Sequence, residues 1–204
     1  MNPGHLKASL VKGAAWMVAM RAAVNFLGIV STVILARLLS PDDFGVVALA
    51  GSAYAFFSVM GQFGFDSALI QHRSPNDEHY NSAWTANILV GLFVSSMMFV
   101  VAKPAAAFFD DARIEYVVYA FSLLSAAKGF ENIGVVNFRK YLKFKGDFLY
   151  FVLPKICGVI AALSSAFVLR NYWALVIGMV TSQVATLLYS HLSQPFRPRF
   201  GIRK

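Results

Sequence analysis

Six long apolar blocks constrain this chain more than any other feature of its sequence. Each block is long enough to cross a hydrocarbon core about 30 Å thick, which takes roughly 20 helical residues. Backbone polar groups find no water in that core, so each block is expected to form a helix. The predicted fold class is therefore all-α, a polytopic membrane protein. The predicted spans are residues 14–38, 44–69, 83–103, 113–133, 148–169 and 172–192.

The composition agrees with a membrane protein. Hydrophobic residues make up 58% of the 204 residues and charged residues only 14%, whereas roughly a quarter of a soluble domain is charged. The first block is about 25 residues long, which exceeds the core of a signal peptide and predicts a retained first span. Cys157 is the single cysteine, which excludes an intrachain disulfide. We expect a transmembrane domain over residues 1–192 and a basic cytoplasmic tail over residues 193–204.

The connection between the first two blocks carries the signals of one helix ending and another beginning. Ser40 is expected to cap the second helix, and Pro41 occupies its first position. Asp42 and Asp43 lie in the first turn, at the positive end of the helix dipole. Because both flanking helices are apolar, this turn is expected at a membrane face.

The lysines and arginines of the loops predict the orientation of the chain. Of the 18 basic residues, eleven lie on the side of the N-terminus, four on the opposite side and three within the spans. Cytoplasmic loops carry the excess of positive charge, so both termini are predicted to be cytoplasmic. The basic loop 137–145 interleaves aromatic and basic residues, which predicts a short helix in the headgroup region rather than a nucleic-acid site.

Five ionisable side chains lie within the predicted spans or at their ends. Each is costly when it faces lipid, by about 2.5–3.5 kcal/mol at the centre of a helix, so each is a functional candidate. All five are expected in the cytoplasmic half of the bilayer. They are Arg21, Asp66, Lys128, Glu131 and Lys155.

Small and polar residues recur beside these charges with helical spacing. On the first span, Arg21, Asn25, Gly28 and Thr32 share one face. Tight packing through small residues explains such stripes in membrane helices. Arg21 has no acid within a turn of it, which favours a hydrated cavity instead.

Structural interpretations also remain open for the other charges. Lys128 and Glu131 are three residues apart and could form a pair within one helix. Asp66 and Lys155 could be residues of the membrane interface. The four histidines are scattered over termini and loops, without metal-ligand spacing, and there is no glycine-rich phosphate loop. The chain is therefore expected not to be an enzyme and to need no metal or cofactor.

Three segments resemble a known family. Residues 35–45, Leu-Ala-Arg-Leu-Leu-Ser-Pro-Asp-Asp-Phe-Gly, are similar to the first loop of Wzx-type bacterial polysaccharide flippases. These belong to the multidrug/oligosaccharidyl-lipid/polysaccharide exporter superfamily. Residues 61–71 resemble the end of the family's second helix, and residues 137–144 resemble its loop between spans four and five. The resemblance implies that the six spans form the N-terminal lobe of a two-lobed exporter fold.

The resemblance also implies a function. Such flippases move a polyprenyl-pyrophosphate-linked oligosaccharide across the bacterial inner membrane by alternating access. The implied partners are membrane lipid, this substrate, and a second lobe or another copy of the chain. Arg21 is the leading candidate for binding the pyrophosphate, because family members often use a first-helix arginine in this way. Asn25 lies in the same stripe, and Lys128 and Lys155 are further candidates from charge and depth.

Three other functions remain open from the sequence. A cation-coupled drug or ion antiporter of the same superfamily shares the architecture, with Asp66 or Glu131 as the coupling acid. A membrane-embedded enzyme of polysaccharide synthesis usually needs a large polar periplasmic loop, and the loops on that side are short. A non-transporting scaffold of the polysaccharide assembly machinery would not depend on Arg21.

Overall fold

The computed structural model of this chain is a bundle of helices. It describes the backbone of residues 3–60, 64–72 and 75–201, and the side chains in these ranges except at 3–12, 14, 60 and 66. In the described ranges there are eight α-helices, one 3-10 turn at Ile133–Val135 and no strand. The helices are α1 (Pro3–Leu38), α2 (Pro41–Met60), α3 (Phe65–Gln71), α4 (Asp77–Phe108), α5 (Ala112–Gly129), α6 (Val136–Lys140), α7 (Phe144–Leu169) and α8 (Trp173–Leu192).

The prediction of an all-α polytopic membrane protein is confirmed. The first, third, fifth and sixth predicted spans correspond to α1, α4, α7 and α8, and the second and fourth to α2 and α5. α5 carries Arg113, Glu115 and Lys128 among its 18 residues, which lowers its hydropathy. Among the described residues, four helical segments are long and apolar enough to cross a membrane. They are Ala15–Leu38, Asp77–Phe108, Phe144–Leu169 and Trp173–Leu192.

The second predicted span, 44–69, is not one continuous helix. α2 ends at Met60 and α3 begins at Phe65. Gly64 between them has a φ of 70°, a left-handed conformation that glycine adopts without strain and that an α-helix cannot contain. Residues 61–63 lie outside the described residues. The apolar block alone does not reveal this break, because its composition suits a continuous helix.

Two pairs of helices approach each other closely at glycines. α7 and α8 meet at Gly158 and Gly178, where a Cβ on Gly158 would lie 2.7 Å from the Gly178 carbonyl oxygen. α4 and α5 meet at Gly91 and Gly129, where a Cβ on Gly91 would lie 3.0 Å from the Gly129 Cα. Membrane helices associate through such close contacts because lipid gives them no hydrophobic driving force. Gly158 therefore shows the tight packing through small residues that is expected of membrane helices.

The other two long helices, α1 and α2, pack against these pairs. α1 packs against α7, and α2 packs against α5 and α4. The main core lies between α2, α4, α5 and α8, where Val46, Met98, Val117 and Val176 are buried. α1 and α2 make few contacts with each other in the described residues, so a gap separates them inside the bundle.

The bundle has two ends, which we name by the segments they carry. The terminal face carries the start of α1, helices α3 and α6 with residues 130–143, and the tail after α8. The turn face carries the connections α1–α2, α4–α5 and α7–α8. The two faces therefore separate the two groups of loops that the sequence distinguished by charge.

Asp43 joins two connections at the turn face, α1–α2 and α7–α8. The predicted cap of α2 is confirmed: the Ser40 Oγ accepts from the Asp43 N–H at 3.2 Å, and the Asp43 carboxylate accepts from the Ser40 N–H at 3.0 Å. The same carboxylate accepts from the Tyr172 N–H at 2.8 Å, which ties this turn to the start of α8. Asp43 is only 8% exposed, so its carboxylate is largely shielded from water and depends on these bonds.

Asp42 lies beside Asp43 but in a different environment. Its carboxylate pairs with the Arg113 guanidinium at 2.6 Å, and Arg113 also pairs with Asp111 at 2.6 Å. Hydrogen bonds from Arg113 hold the pKa of the Asp111 carboxyl below its ordinary value. Asp42 has 68% of its side chain exposed, so water screens this pair.

The basic loop at the terminal face differs from its prediction. The expected headgroup helix is limited to the five residues of α6 and ends at Lys140, because Leu142 is left-handed with a φ of 56°. The Lys140 ammonium donates to the carbonyl oxygens of Leu69 at 3.1 Å and His72 at 2.7 Å. Lys140 therefore caps the carbonyl end of α3, as cations do at helix C-termini.

The tail after α8 lies along the first turns of α4. It is non-helical up to Gly201. Asn132, which is fully buried, donates from Nδ2 to the Phe196 carbonyl at 2.8 Å. The Phe200 ring lies 5.0 Å from the Trp84 ring, centroid to centroid. These contacts attach the tail to the terminal face.

The two adjacent aspartates provide a test of the turn face. Asp43→Ala removes the buried acceptor for Ser40 and Tyr172, so we expect about 1–3 kcal/mol of lost stability. Asp42→Ala removes a screened surface pair and is expected to cost less than about 1 kcal/mol. Thermal unfolding of the two variants in detergent, followed by circular dichroism, compares them. Equal destabilisation by the two substitutions would contradict the role given to Asp43.

Candidate functional site

A cavity of about 500 Å³ lies in the gap between α1 and α2. We call it the mid-bundle cavity. Its walls come from α1, α2, α5, α7 and α8, and α1 contributes Gly28 and Thr32 from the predicted polar stripe. A Cβ on Gly28 would meet no atom within 4 Å. The small residues of α1 thus face a cavity, whereas Gly158 on α7 both packs against α8 and lines that cavity.

Lys155 is the one charged residue among the described residues that line the mid-bundle cavity. Its side chain is half-buried and has no hydrogen bond or ion pair with any described residue. The neighbouring polar groups in the wall are hydroxyls and amides, including Ser182 and Gln183. An ammonium in an apolar bundle is costly without a partner, and a bound anion would supply that partner.

A second cavity, of about 420 Å³, opens nearer the terminal face. We call it the terminal-face cavity. It lies between α2, α3, α4, the end of α5 and the start of α7. Hydroxyl, amide and charged groups dominate its walls. Its charged lining residues are Lys128, Glu131 and Arg139.

Glu131 lies at the boundary of the two cavities. One carboxylate oxygen accepts from the Tyr150 hydroxyl at 2.5 Å, and Tyr150 lines the terminal-face cavity. The other accepts from the Gln183 side-chain amide at 2.7 Å, and Gln183 lines the mid-bundle cavity. Tyr54 lines both cavities. Glu131 therefore links α7 and α8 to the end of α5 at the junction of the cavities.

Lys128 does not pair with Glu131. It is exposed and makes no hydrogen bond or ion pair with any residue that the structure describes. α5 ends at Gly129, so Glu131 lies beyond the helix and the two residues do not share a helical face. The alternative of a pair within one helix therefore does not form.

Arg21 and Asn25 are exposed on α1 and line neither cavity. Helical spacing places them on the same face as Gly28 and Thr32. Arg21 is seven residues from Gly28, or about 10 Å toward the terminal face. It has no ion pair with a described residue. The prediction that Arg21 binds substrate stays a prediction.

Asp66, the other predicted coupling acid, is in the first turn of α3. Its side chain lies outside the described residues, so its role as a coupling acid stays a prediction. Its neighbours Phe65 and Ser67 line the terminal-face cavity.

Several residues of the two cavities were not predicted from the sequence. Gln183 lies in the middle of an apolar span, and this position was the available signal, since polar residues inside membrane helices are rare and functional. Arg139 was assigned to a surface helix, but it lines the terminal-face cavity and its Nε lies 3.2 Å from an Asp147 oxygen. Asn87 and Ser125 gave no signal, because single amides and hydroxyls are common in packed membrane helices.

Similar proteins are known from bacterial polysaccharide pathways. The succinoglycan biosynthesis transport protein ExoT of Rhizobium meliloti is 25% identical over 200 residues, which cover 98% of this chain and 40% of that protein. The lipopolysaccharide biosynthesis protein WzxC of Escherichia coli is 20% identical over 199 residues, covering 95% of this chain and 40% of WzxC. The chain thus spans about 40% of the length of these relatives.

No solved structure matches the chain significantly. The model of one protein family, described as polysaccharide biosynthesis protein, matches residues 34–204, which include every wall of both cavities except the part of α1 before residue 34. The chain belongs to this polysaccharide biosynthesis protein family.

Proposed function

We propose that this chain is one half of a transporter that moves a lipid-linked oligosaccharide across the bacterial inner membrane. The family and the names of the two relatives support polysaccharide export. Since the chain spans about 40% of those relatives, the other half is a second lobe or another copy of the chain.

Lys155 is the observation that carries this proposal. It is an unpaired, half-buried ammonium that lines a cavity inside an apolar bundle. The carrier lipid of such an oligosaccharide bears a pyrophosphate, which needs cations where it leaves water. An apolar substrate would gain nothing from a lysine at this position. The polyprenyl tail can stay in lipid while the charged head occupies the cavity.

Three cationic side chains mark a path for that head. Lys128 lines the terminal-face cavity and Lys155 the mid-bundle cavity. Arg21, with Asn25 one turn further along the same stripe, lies on α1 between the terminal face and the mid-bundle cavity. We propose that Arg21 and Lys155 contact the pyrophosphate in turn, with the planar fork of Arg21 binding two phosphate oxygens at once, and that Lys128 contacts another anionic group of the substrate head.

A second half would cover the open side of this bundle. α1 and α2 make few contacts with each other, and both expose large apolar side chains, among them Phe26 and Phe56, each 67% exposed. Rocking of two such halves about a shared cavity is how alternating access works in transporters built from repeats.

The orientation follows from the positive-inside rule. Those of the eleven basic residues on the N-terminal side that the structure describes belong to the loops and helix ends of the terminal face. Both termini and the terminal-face cavity are therefore proposed to be cytoplasmic, where the lipid-linked oligosaccharide is made. The cations on the path then lie on the side from which the substrate enters.

Cation-coupled antiport is a second candidate, favoured by the position of Glu131. A carboxylate whose oxygens bond to α7 and α8 at the junction of two cavities can change those bonds when it binds a proton or Na⁺. Asp66 is the other candidate acid. This coupling would also be compatible with oligosaccharide export, whereas a scaffold without transport would need neither Glu131 nor Lys155.

The orientation is tested with fusions to alkaline phosphatase, which is active only in the periplasm. A fusion after Lys204 is expected to be inactive, and a fusion inserted at Asn171 on the turn face is expected to be active. The reverse pattern would place the terminal-face cavity outside the cell and refute the direction of transport.

Lys155→Gln tests the proposed function directly. The substitution keeps the size of the side chain and removes its charge, so inorganic pyrophosphate should bind the purified chain in lipid nanodiscs about tenfold more weakly. Arg21→Ala should have a similar effect, and Arg21→Lys a smaller one, because lysine keeps the charge but loses the fork.

Lys103→Gln is the matched control for that experiment. Lys103 is exposed near the turn face and lines neither cavity, so its removal is expected to leave pyrophosphate binding unchanged. Isothermal titration calorimetry measures the pyrophosphate affinity of the wild type and of each variant. Equal binding by wild type and Lys155→Gln would refute the role of the mid-bundle cavity.

Glu131→Gln separates coupled transport from uncoupled transport. The amide keeps an acceptor for Tyr150 or Gln183 but cannot bind or release a proton. If cation coupling operates, the pH dependence of polysaccharide export by the assembled transporter should disappear in this variant while the protein stays abundant in the membrane. An unchanged pH profile would exclude Glu131 as the coupling acid.

A further inference from the structure

Three polar side chains in the terminal-face cavity have no partner in the described part of the chain. Asn87 comes from α4, and Ser125 and Lys128 come from α5. Ser125 is only 7% exposed and Asn87 is half-buried, yet neither makes a hydrogen bond with a described residue. The polar atoms of both side chains remain accessible from the cavity, so they can donate to and accept from a bound ligand.

The glycine contact between α4 and α5 brings these three residues together. A Cβ on Gly129 would lie 2.8 Å from the Asn87 carbonyl oxygen, and one on Gly91 would lie 3.0 Å from the Ser125 carbonyl oxygen. Ser125 and Lys128 are three residues apart on α5 and lie on one face. The amide, the hydroxyl and the ammonium therefore belong to one wall of the cavity.

We propose that the terminal-face cavity binds a saccharide unit that carries one negative charge. This inference rests on the proposed function and gives the glycan part of the substrate its own site, separate from the pyrophosphate at Lys155. Sugar hydroxyls both donate and accept hydrogen bonds, which matches the amide of Asn87 and the hydroxyl of Ser125. The cavity volume of about 420 Å³ is in the range of pockets that bind small ligands.

The charged side chains that line the terminal-face cavity indicate the charge of its ligand. Lys128 and Arg139 contribute two positive charges to the wall and Glu131 one negative charge. The carboxylate of Glu131 already accepts from Tyr150 and Gln183, and Arg139 already pairs with Asp147. Lys128 is left to bind one anionic group, such as a sugar carboxylate. The aromatic rings of Tyr54 and Tyr150 add flat apolar surface in the same cavity.

The mid-bundle cavity offers a different chemistry. Its walls are mostly apolar or small residues, with Lys155 as the single charge among the described residues that line it. It therefore suits a compact phosphate group beside an apolar tail more than a hydroxyl-rich ring. Because Glu131 separates the two cavities, the saccharide and the pyrophosphate would lie on either side of it.

The experiment compares three probes on the purified chain in lipid nanodiscs: glucose, glucuronic acid and glucose 1-phosphate. Calorimetry and saturation-transfer NMR measure their binding. We expect glucuronic acid to bind about tenfold more tightly than glucose, because Lys128 adds a charge-assisted hydrogen bond. Equal binding of the two sugars, or no binding of either, would overturn the proposal. Tighter binding of glucose 1-phosphate than of glucuronic acid would overturn the assignment to a singly charged group.

Substitutions in the wall assign the site. Lys128→Gln should abolish the preference for glucuronic acid and leave the weak binding of glucose. Asn87→Leu and Ser125→Ala should each weaken the binding of both sugars about tenfold, since each substitution removes hydrogen bonds to sugar hydroxyls. Lys145→Gln is the matched control, because Lys145 is an exposed cation of the terminal face outside the cavity. If Lys145→Gln weakened the binding of glucuronic acid as much as Lys128→Gln does, the effect would be one of general charge and the site would be refuted.

Inorganic pyrophosphate, measured on the same samples, separates this proposal from the proposed function. If pyrophosphate binding depends on Lys155 and no sugar binds, the saccharide site is refuted and the transport proposal stands. If the sugars bind through Lys128 and pyrophosphate does not bind, the saccharide site stands and the role of Lys155 is refuted. Circular dichroism of each variant identifies any that fail to fold, and Ser125→Ala, the smallest change, then tests the wall.

Discussion

The close contact of helix backbones at two glycine pairs is the constraint on which the rest of this structure depends. Gly158 and Gly178 hold α7 against α8, and Gly91 and Gly129 hold α4 against α5. A larger side chain at any of these positions would push the helices apart, because the nearest atoms are backbone or directly attached carbons. With two rigid pairs fixed, α1 and α2 each pack on a different pair and leave the mid-bundle cavity between them.

Electrostatics then gives the cavities their different characters. A charge inside the bilayer persists where it is paired or where it faces a cavity. Glu131 and Asp43 take the first course, through part-buried hydrogen bonds to groups on distant segments of the chain. Lys155 and Lys128 take the second, with no described partner. The paired acids link helices near the two ends of the bundle, and the unpaired lysines are the groups that we propose bind an anionic substrate.

Much of the fold was predictable from residues 35–45 and from the apolar blocks. The cap by Ser40 and Asp43 depends on hydrogen bonds within one turn, so local sequence specifies it. The break at Gly64 and the end of α6 at Lys140 were missed, because a left-handed residue leaves no mark in hydrophobic periodicity. Depth along a helix made both Arg21 and Lys155 candidates, but it did not distinguish Arg21, which is exposed, from Lys155, which lines a cavity.

The sequence by itself determined that this is an all-α membrane protein, because blocks of apolar residues longer than the bilayer is thick leave the backbone no other state. It also determined which residues carry costly charges. Only the tertiary structure decided which of those charges are satisfied. Glu131 bonds to Tyr150 and Gln183, which are 19 and 52 residues away along the chain. No periodicity predicts such contacts, since they arise from the way separate helices pack against one another.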